Sequence, residues 1–248
     1  MSTAGDGFWV RSTAGTHPSG GVIARHHHAW GQLAYAISGV MHIATPTALW
    51  ITPPTRAVWI PPGRTHEITM QGATAMRFLY IDPVTAGGLP GEEVVIEVAP
   101  LLRELILHIL GIGMLGPGDP AHERLTGLLI DLLIAAPRQD LALPLPRDHR
   151  ALAAAERLRA EPGENASLAE MARRAGASLR TLQRLFPDET GLTLEAWRQK
   201  ARLIAAVALL ANGAAVTTTA LDCGYDSPSA FITAFKRQFG VTPGRYRG

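Results

Sequence analysis

Residues 167–191 read SLAEMARRAGASLRTLQRLFPDETG, and this stretch determines the fold predicted for the C-terminal part of the chain. Ser167 is followed three residues later by Glu170, a capping box that predicts a helix over Leu168–Ala175. A glycine ends that helix, and Ser178 can cap a second one. The inner face of the second helix carries four apolar residues, Leu179, Leu182, Leu185 and Phe186. Two short helices joined by a glycine-containing turn form a helix-turn-helix unit.

The outer face of the second helix carries long polar side chains. Arg180, Gln183 and Arg184 stand at positions i, i+3 and i+4, so they share one face of the helix. Arginine and glutamine can make bidentate hydrogen bonds with the edges of guanine and adenine in the DNA major groove. A helix surface exposed only to water has a similar composition, so this face alone leaves both interpretations open.

A second helix-turn-helix pattern, VTTTALDCGYDSPSAFITAFKRQFG at residues 216–240, begins 49 residues after the first. Ser227 caps its second helix, with Pro228 at the first helical position. The inner face of that helix carries Ala230, Phe231, Ala234 and Phe235, and the outer face carries Ser229, Thr233, Lys236 and Arg237. An apolar helix over Leu194–Ala211 joins the two units. Such a rigid connector would fix the separation of two DNA readers that dock in successive major grooves, about 34 Å apart.

The composition is that of a packed globular protein. The 248 residues, 47% hydrophobic and 18% charged, are enough for two domains. Residues 147–248 hold 15 Lys and Arg against 10 Asp and Glu, a net charge of +5 that fits either nucleic acid binding or a solvated surface. The single cysteine, Cys223, cannot form an internal disulfide and is expected to be a small core residue. Apolar runs are too short for a bilayer and no signal peptide is evident, so we expect a cytoplasmic protein without membrane contact.

The N-terminal part has the pattern of a β-rich domain followed by helices. Short β-prone runs over residues 21–82 predict strands, which include Tyr35–Ile43, Ala57–Ile60 and Ala75–Ile81. Two helices with wide apolar faces are predicted next, Val95–Leu110 and His122–Ala136, and these either cover the sheet or form a homodimer. A proline-rich segment, Ala136–Asp148, predicts an extended linker. The predicted fold is therefore multidomain α+β. Its predicted parts are a β-rich domain at 1–90, a helical pair at 91–137, a linker at 138–148 and a helical domain at 149–248.

The C-terminal motifs resemble a known family. The segments GYDSPSAF, AFKRQFG and TPGRYR resemble the C-terminal signature of the AraC/XylS family of bacterial transcription regulators, and ASLRTLQRLFPDETG resembles its first recognition helix. The resemblance covers about Asp148–Arg247 and implies an all-α domain of two helix-turn-helix units that binds promoter DNA, with RNA polymerase as a further partner if the protein is an activator. The residues expected at the DNA are Arg180, Thr181, Gln183, Arg184, Ser229, Thr233, Lys236 and Arg237.

Within that resemblance the two units differ in their reading helices. Serine and threonine in the second unit carry little base information, so we expect the first unit to supply most of the base specificity. The second unit is expected mainly to bind the DNA backbone through Lys236 and Arg237.

The stretch RHHHAWGQL at Arg25–Leu33 belongs to a second resemblance. The order of Gly20, His26, His28, Gln32 and Gly39 is similar to the first motif of the cupin superfamily of small β-barrels, with Gln where Glu is usual. Pro61, Pro62, Gly63 and His66 resemble the second motif, with Met70 where Asn would stand and Thr55 where Gly would stand. The resemblance implies a divalent metal site formed by His26, His28, Gln32 and His66, while His27 would face away from it.

Two interpretations of this barrel stay open. Three imidazoles and an amide suit Zn, Ni, Co or Fe, although the neutral Gln32 should weaken binding. Without a metal, the same histidines would hydrogen-bond a small-molecule effector or one another. Four further residues with aromatic or cationic side chains are candidates for an effector pocket suited to a small, planar or anionic molecule, although aromatic rings also fill small barrels: Tyr35, His42, Arg56 and Trp59.

The favoured function is a sequence-specific transcription regulator that responds to a molecule or metal in the N-terminal domain and is not an enzyme. One rival is a metal-dependent cupin enzyme, a dioxygenase or isomerase, tethered to DNA. It is disfavoured because Gln32 replaces an acid and no further acid or base is evident. The other rival is an architectural protein that binds DNA without sequence preference.

Overall fold

The computed structural model describes residues 7–246, which form two compact units. Unit 1 consists of the residues up to Thr45 together with Trp50–Leu141, and unit 2 consists of Pro46–Leu49 together with the residues from Ala142 onward. The division falls within the segment that the sequence predicts to be a linker. The first six residues of the predicted N-terminal domain, and Arg247 with the last residue of the C-terminal domain, lie outside the described residues.

Unit 1 contains a large β-sheet. Its strands are β1 (Val10–His17), β2 (Val22–His26), β3 (Gly31–Ala44), β4 (Ala48–Thr52), β5 (Arg56–Ile60), β6 (His66–Ile81), β7 (Val94–Glu97), β8 (Met114–Leu115) and β9 (Arg138–Gln139). Neighbouring strands are antiparallel, and their order along the main path is β8-β1-β6-β3-β5-β7-β9. The short strand β2 pairs with the beginning of β6, and β4 pairs with β3. The predicted β region is confirmed, but the sequence reasoning missed β1, whose polar residues hide its alternation.

The two long strands position the N-terminal site. β6 pairs with β1 through residues 74–81 and with β2 through its first residues, where His66 lies opposite His26. β3 pairs with β6 along almost its whole length, but its register is irregular around Ser38. Gly39 allows this irregularity, because it has a φ of +72° and a Cβ there would lie 2.6 Å from the Ala73 carbonyl oxygen.

Two helices, α1 (Pro100–Ile112) and α2 (Pro120–Ala135), pack on one face of this sheet. The predicted helix Val95–Leu110 begins too early, because Val94–Glu97 forms β7 and pairs with β5. Val and Ile favour a strand there, and Pro100 fixes the start of α1 in its first turn. Asp119 caps α2 by accepting a hydrogen bond from the Ala121 amide at 2.8 Å.

Part of the predicted linker forms two short strands. β9 pairs with β7, and β10 (Ala142–Pro144) begins after two intervening residues. Leu141 and Leu143 are both buried. The prolines indicate an extended backbone, but these two apolar residues are not exposed to solvent.

Unit 2 contains the two helix-turn-helix units and the helix that joins them. Its helices are α3 (His149–Ala160), α4 (Leu168–Arg174), α5 (Leu179–Thr190), α6 (Leu194–Ala211), α7 (Val216–Asp222), α8 (Pro228–Phe239) and α9 (Pro243–Tyr246). The turns inside the two pairs, α4–α5 and α7–α8, contain Gly176 at φ +69° and Gly224 at φ +74°. These left-handed glycines let the chain reverse sharply before the serine-capped second helix of each pair.

The core of unit 2 contains a buried tryptophan beside a phenylalanine. Trp197 of α6 is fully buried, packs edge-on against Phe186 of α5 with ring centroids 5.5 Å apart, and donates a hydrogen bond to the Pro144 carbonyl at 2.7 Å. Cys223 is buried as predicted, and burial raises the pKa of its thiol to about 12. In the described part of the chain, no helix combines the length and the apolar character that crossing a membrane requires.

Candidate nucleic-acid interface and metal centre

The outer face of α5 is exposed as the sequence predicts. Arg180, Gln183 and Arg184 are all exposed, while Leu182, Leu185 and Phe186 are buried on the opposite side. The Ser178 hydroxyl caps the helix by accepting a hydrogen bond from the Thr181 amide at 3.1 Å and also contacts the Thr181 hydroxyl at 2.8 Å. Thr181 therefore supports the helix start, whereas the three long side chains extend from its surface.

The charges around α5 leave this face cationic at its first turn. Arg184 lies 3.5 Å from Asp188, and both side chains are well exposed, so the pair is weak and readily exchanged for another anion. Arg173 and Arg174 of the preceding helix pair with Glu170 instead. Arg180 lies at the second residue of α5, where the backbone amides also point outward.

Several side chains on the outer face of α8 are shorter and less polar than those on the outer face of α5. Thr233 donates its hydroxyl hydrogen to the Ser229 carbonyl at 3.0 Å, so the hydroxyl is already used within the helix. Lys236 and Arg237 are exposed in its last turns. Ala230, predicted on the inner face, is exposed, whereas Phe231, Ala234 and Phe235 are buried as predicted.

The structure brings three of the predicted metal ligands together in unit 1. His26, His28 and His66 each offer a ring nitrogen, and the three nitrogens lie within 4.8 Å of one another. Gln32, which is fully buried, places its Oε1 2.9 Å from Nε2 of His28 and 3.0 Å from Nε2 of His66. β2 ends at His26, so His26 and His28 do not alternate on one strand as predicted, and His27 lines the neighbouring cavity.

Backbone carbonyls orient all three imidazole rings. Nδ1 of His26 lies 2.8 Å from the Ala24 oxygen, Nδ1 of His28 lies 2.6 Å from the Trp30 oxygen, and Nδ1 of His66 lies 2.9 Å from the Arg64 oxygen. A carbonyl oxygen only accepts hydrogen bonds, so each Nδ1 carries the proton. An imidazole whose single proton is on Nδ1 presents the lone pair of Nε2.

The Nε2 lone pairs of the three histidines cannot form hydrogen bonds with Oε1 of Gln32. Oε1 of Gln32 is also an acceptor, whereas its Nε2 is buried and has no hydrogen-bond partner among the described residues. Burial lowers the pKa of His66 to about 4, and the neighbouring His26 and His28 act in the same direction, so His66 is neutral near pH 7. Four lone pairs that converge without a hydrogen between them are the donor set that a divalent cation requires.

The four residues predicted for an effector pocket are not brought together. Tyr35 and Trp59 are 2% and 3% exposed and pack in the core beneath α1 and α2. The register explains this, because Tyr35 is three residues from Gln32 and therefore faces the other side of the sheet. Arg56 lies 3.5 Å from Glu97, and His42 pairs with Thr69 elsewhere on β3.

One cavity of unit 1 is lined mostly by residues that the sequence reasoning did not select. Its volume is about 680 Å³, and its lining includes Arg11, Ser12, His27, His28, Trp30, Tyr80 and Met114. Three of these, His27, His28 and Trp30, come from the stretch RHHHAWGQL, and only His28 was predicted as a site residue. The other four are distant in sequence, so no local pattern connects them.

The comparisons with known proteins agree with the C-terminal architecture. A family model described as a helix-turn-helix domain matches residues 171–248. The transcriptional regulator NimR of Escherichia coli K12 is 38% identical over 221 residues, which cover 89% of this chain and 81% of NimR. The chain belongs to the AraC/XylS family. The AraC/XylS assignment includes DNA binding and transcription regulation, and it favours these functions over the enzyme hypothesis.

Other relatives and solved structures match different shares of the chain. RipA of Corynebacterium glutamicum is 37% identical over 103 residues, or 42% of this chain and 31% of RipA. An AraC-type regulator from Chromobacterium violaceum of known structure is 27% identical, with a TM-score of 0.38 over 40% of this chain and 88% of that chain. Fatty-acid-bound ToxT from Vibrio cholerae aligns with 100% of this chain and 97% of its own at 12% identity and a TM-score of 0.40.

Proposed function

We propose that this AraC/XylS regulator reads promoter sequence with α5 and holds the DNA backbone with α8. The observation that carries this proposal is the exposed face of Arg180, Gln183 and Arg184 on a helix whose opposite side is fixed in the core. Long side chains on a rigid helix can reach base edges, and arginine and glutamine match guanine and adenine. Lys236 and Arg237 would neutralise phosphates without reading bases.

Binding sites selected from a random DNA library test this proposal. Replacing Arg180 or Gln183 by Ala should weaken binding to the selected site by about 1 to 3 kcal/mol and relax the preference at one base position. Arg157→Ala is the matched control, because Arg157 is an exposed arginine on α3, outside both helix-turn-helix units. If the Arg180 and Gln183 variants weaken all DNA equally, α5 does not read bases. Equal wild-type affinity for selected and random DNA would favour the architectural hypothesis.

We also propose that unit 1 binds a divalent transition metal, Zn, Ni, Co or Fe, through His26, His28 and His66, with Gln32 as the fourth ligand. The converging lone pairs and the unpartnered amide nitrogen of Gln32 support this proposal. Without an ion, rotating the amide by 180° would let its N–H groups donate to both His28 and His66. A bound ion would supply a Lewis-acidic centre between the strands that carry these residues.

Elemental analysis of protein purified without a metal-affinity tag tests the metal site. The wild type should carry about one metal ion per chain, and His26→Ala with His66→Ala should lose it. Gln32→Glu should bind the same ion more tightly, because it restores an anionic ligand. His122→Ala is a suitable control, since His122 lies on α2 and its Nδ1 accepts a hydrogen bond from the Gly116 amide. Metal-free wild type, even after incubation with each of the four ions, would reject the site.

The response of the regulator would come from unit 1. A metal or small molecule shifts DNA binding only if it binds the DNA-competent and incompetent states with different affinities. We therefore propose that the chain acts as an effector-responsive regulator in the cytoplasm, contacting RNA polymerase if it activates. We do not propose an enzyme, because NimR, which matches across most of both chains, is a transcriptional regulator.

A homodimer through the helical pair is part of the same proposal. Leu101 and Ile112 of α1 and Leu128 and Ile134 of α2 are large apolar residues that are 40% to 57% exposed. Light scattering of the full chain should give twice the monomer mass. Leu128→Glu should reduce it to the monomer, whereas the change Val84→Glu, at an exposed apolar residue outside both helices, should not.

A further inference from the structure

The cavity of unit 1 has a charge pattern that selects its ligand. Its volume of about 680 Å³ lies within the range of about 300 to 1,000 Å³ that is typical of small-molecule sites. Arg11 contributes a permanent positive charge, and Ser12 and Tyr80 contribute hydroxyl groups. None of the described residues that line the cavity carries a carboxylate. The guanidinium of Arg11 and the two hydroxyl groups therefore match an anionic group on a ligand.

The guanidinium group of Arg11 lies over two aromatic rings. Its central carbon lies 5.1 Å from the centroid of the Phe8 ring and 5.3 Å from that of the Trp30 ring. The N–H donors of a guanidinium lie in its plane. A planar carboxylate is the group that best matches two parallel N–H donors.

Strand register aligns the rest of the site with Arg11. Arg11 on β1 is paired with Tyr80 on β6, and Tyr80 is paired with Gln32 on β3, so the three side chains share one face of the sheet. The phenolic hydroxyl of Tyr80 can donate a hydrogen bond. The Tyr80 ring packs edge-on against His28, with centroids 5.3 Å apart.

We propose that this cavity binds a small aromatic carboxylate, with its carboxylate on Arg11 and its ring among Trp30, Tyr80 and Met114. The flat rings and the thioether supply an apolar surface for an aromatic ring, while Arg11 and the Tyr80 hydroxyl bind the charged end. This inference rests on the proposed effector response of unit 1, and it names the chemical class of the effector.

Titration calorimetry of the full chain tests the ligand class with benzoate, salicylate and indole-3-carboxylate, each beside its neutral carboxamide. At least one acid should bind, and its amide should bind at least tenfold more weakly. Arg11→Met should lose most of the binding, whereas Arg11→Lys, which keeps the charge but loses the planar donors, should be intermediate. Arg138→Met is the matched control, since Arg138 lies in unit 1 with a side chain that is 64% exposed.

The outcomes separate this inference from the proposed function. If no acid binds, or if an acid and its amide bind equally, the ligand class is wrong, even if DNA binding and metal content are intact. Binding that persists in a folded Arg11→Met variant also overturns it. Arg11-dependent binding of an acid supports the site. If that acid leaves DNA affinity unchanged, the site stands and the effector response is rejected.

A second observation concerns the DNA-facing side of α8. Ile232 is 36% exposed on this face, between polar residues. Equivalent residues of α5 and α8 are 49 positions apart. This offset separates the two capping serines, Ser178 and Ser227, and the two left-handed glycines that end the helices, Gly191 and Gly240. The same offset places Ile232 at the position that Gln183 occupies on α5.

We infer that Ile232 reads thymine through the methyl group on C5 of the base. That methyl is the apolar feature of the major groove, and an apolar side chain at a base-facing position is suited to contact it. The contact is independent of the cavity and depends only on α8 entering the groove. It adds base information to a helix whose serine and threonine carry little.

Single replacement of each thymine by deoxyuracil in the selected binding site removes this methyl and nothing else. One replacement should weaken wild-type binding about fourfold, the effect of burying about one methyl group. Ile232→Ala should bind thymine and deoxyuracil DNA equally at that position, while Arg180→Ala should retain the difference. If no thymine is sensitive in the wild type, or the sensitivity survives in Ile232→Ala, the inference is wrong.

Discussion

The two helix-turn-helix units share a backbone plan but differ in the side chains that they offer to DNA. Each has a left-handed glycine in its turn, a serine cap and a left-handed glycine at the end of its second helix. On α5 the outer face carries Arg180, Gln183 and Arg184, whereas the same positions on α8 hold Ser229, Ile232 and Thr233. The capping residues therefore determine the backbone of both units, whereas the exposed side chains on the outer faces of α5 and α8 differ.

An equivalent fold does not imply an equivalent role in these two units. Thr233 has already used its hydroxyl within α8, whereas the weak Arg184–Asp188 pair can be exchanged for a contact with DNA. The first unit is therefore suited to reading bases, and the second to binding the backbone with one apolar contact. Four substitutions test this division, in order of decreasing effect.

The largest effect should come from the connector that supports the first unit. Trp197→Ala removes a fully buried ring that packs against Phe186 and should lower the free energy of unfolding by about 3 to 5 kcal/mol. Trp197→Phe keeps much of the packing and loses the hydrogen bond to Pro144, so it should cost clearly less. Chemical denaturation followed by circular dichroism measures both. Equal losses would mean that the hydrogen bond, and not the packing, dominates.

The next effect separates reading from backbone binding. Arg184→Ala should weaken binding to the selected DNA site by about 1 to 3 kcal/mol and relax one base position. Asp188→Ala, which removes the competing carboxylate, should leave the preferred base unchanged and bind slightly more tightly. Competition binding with single-base variants measures the preference. Loss of affinity without any change in base preference would assign Arg184 to the backbone and weaken the contrast between the units.

Lys236 should act through charge alone. Lys236→Ala should weaken binding to every DNA sequence by a similar factor, and the slope of log affinity against log salt should fall by about 0.9, the value for one lost phosphate contact. Glu156→Ala, an exposed charge change on α3, should leave the slope unchanged. Fluorescence anisotropy over a range of salt concentrations measures the slope. If the Lys236 variant lost affinity only for DNA with a particular base, α8 would also read bases, which is the role proposed for α5.

Thr233 should matter least. Thr233→Val removes a hydroxyl that is satisfied inside the helix, so binding and the free energy of unfolding should each change by less than about 0.5 kcal/mol. The measurements are the same anisotropy assay and thermal unfolding. A loss of base preference in this variant would show that the hydroxyl leaves Ser229 to contact DNA, and the second unit would then also read sequence by hydrogen bonds.

The helical half of the fold was predictable because its signals are local. A serine before α4, α5 and α8 and a glycine after each of them indicate where these helices begin and end, and the structure follows these signals closely. The start of α1 was not predicted, because an apolar run over residues 94–98 fits a strand or a helix, and pairing with β5 decides between them.

The N-terminal site shows the same limit more clearly. His26, His28 and His66 come together as the two motifs indicated, because each motif fixes a local segment. Arg11 and Tyr80 could not be selected, since only the pairing of β1 with β6 makes residues 69 positions apart neighbours. Tyr35 and Trp59 were assigned to a pocket because they are aromatic, but strand alternation places them in the core.

The stacking of Arg11 on Trp30 also provides an optical reporter. The chain has five tryptophans, and Trp30 is the one that lines the cavity among the described residues. Its indole lies against a cation and is 4% exposed, so its emission should depend on the charge and polarity of whatever enters beside it. A chain that keeps this indole, with the other four replaced by phenylalanine where folding allows, would turn occupancy of unit 1 into a change in fluorescence that can be followed in real time.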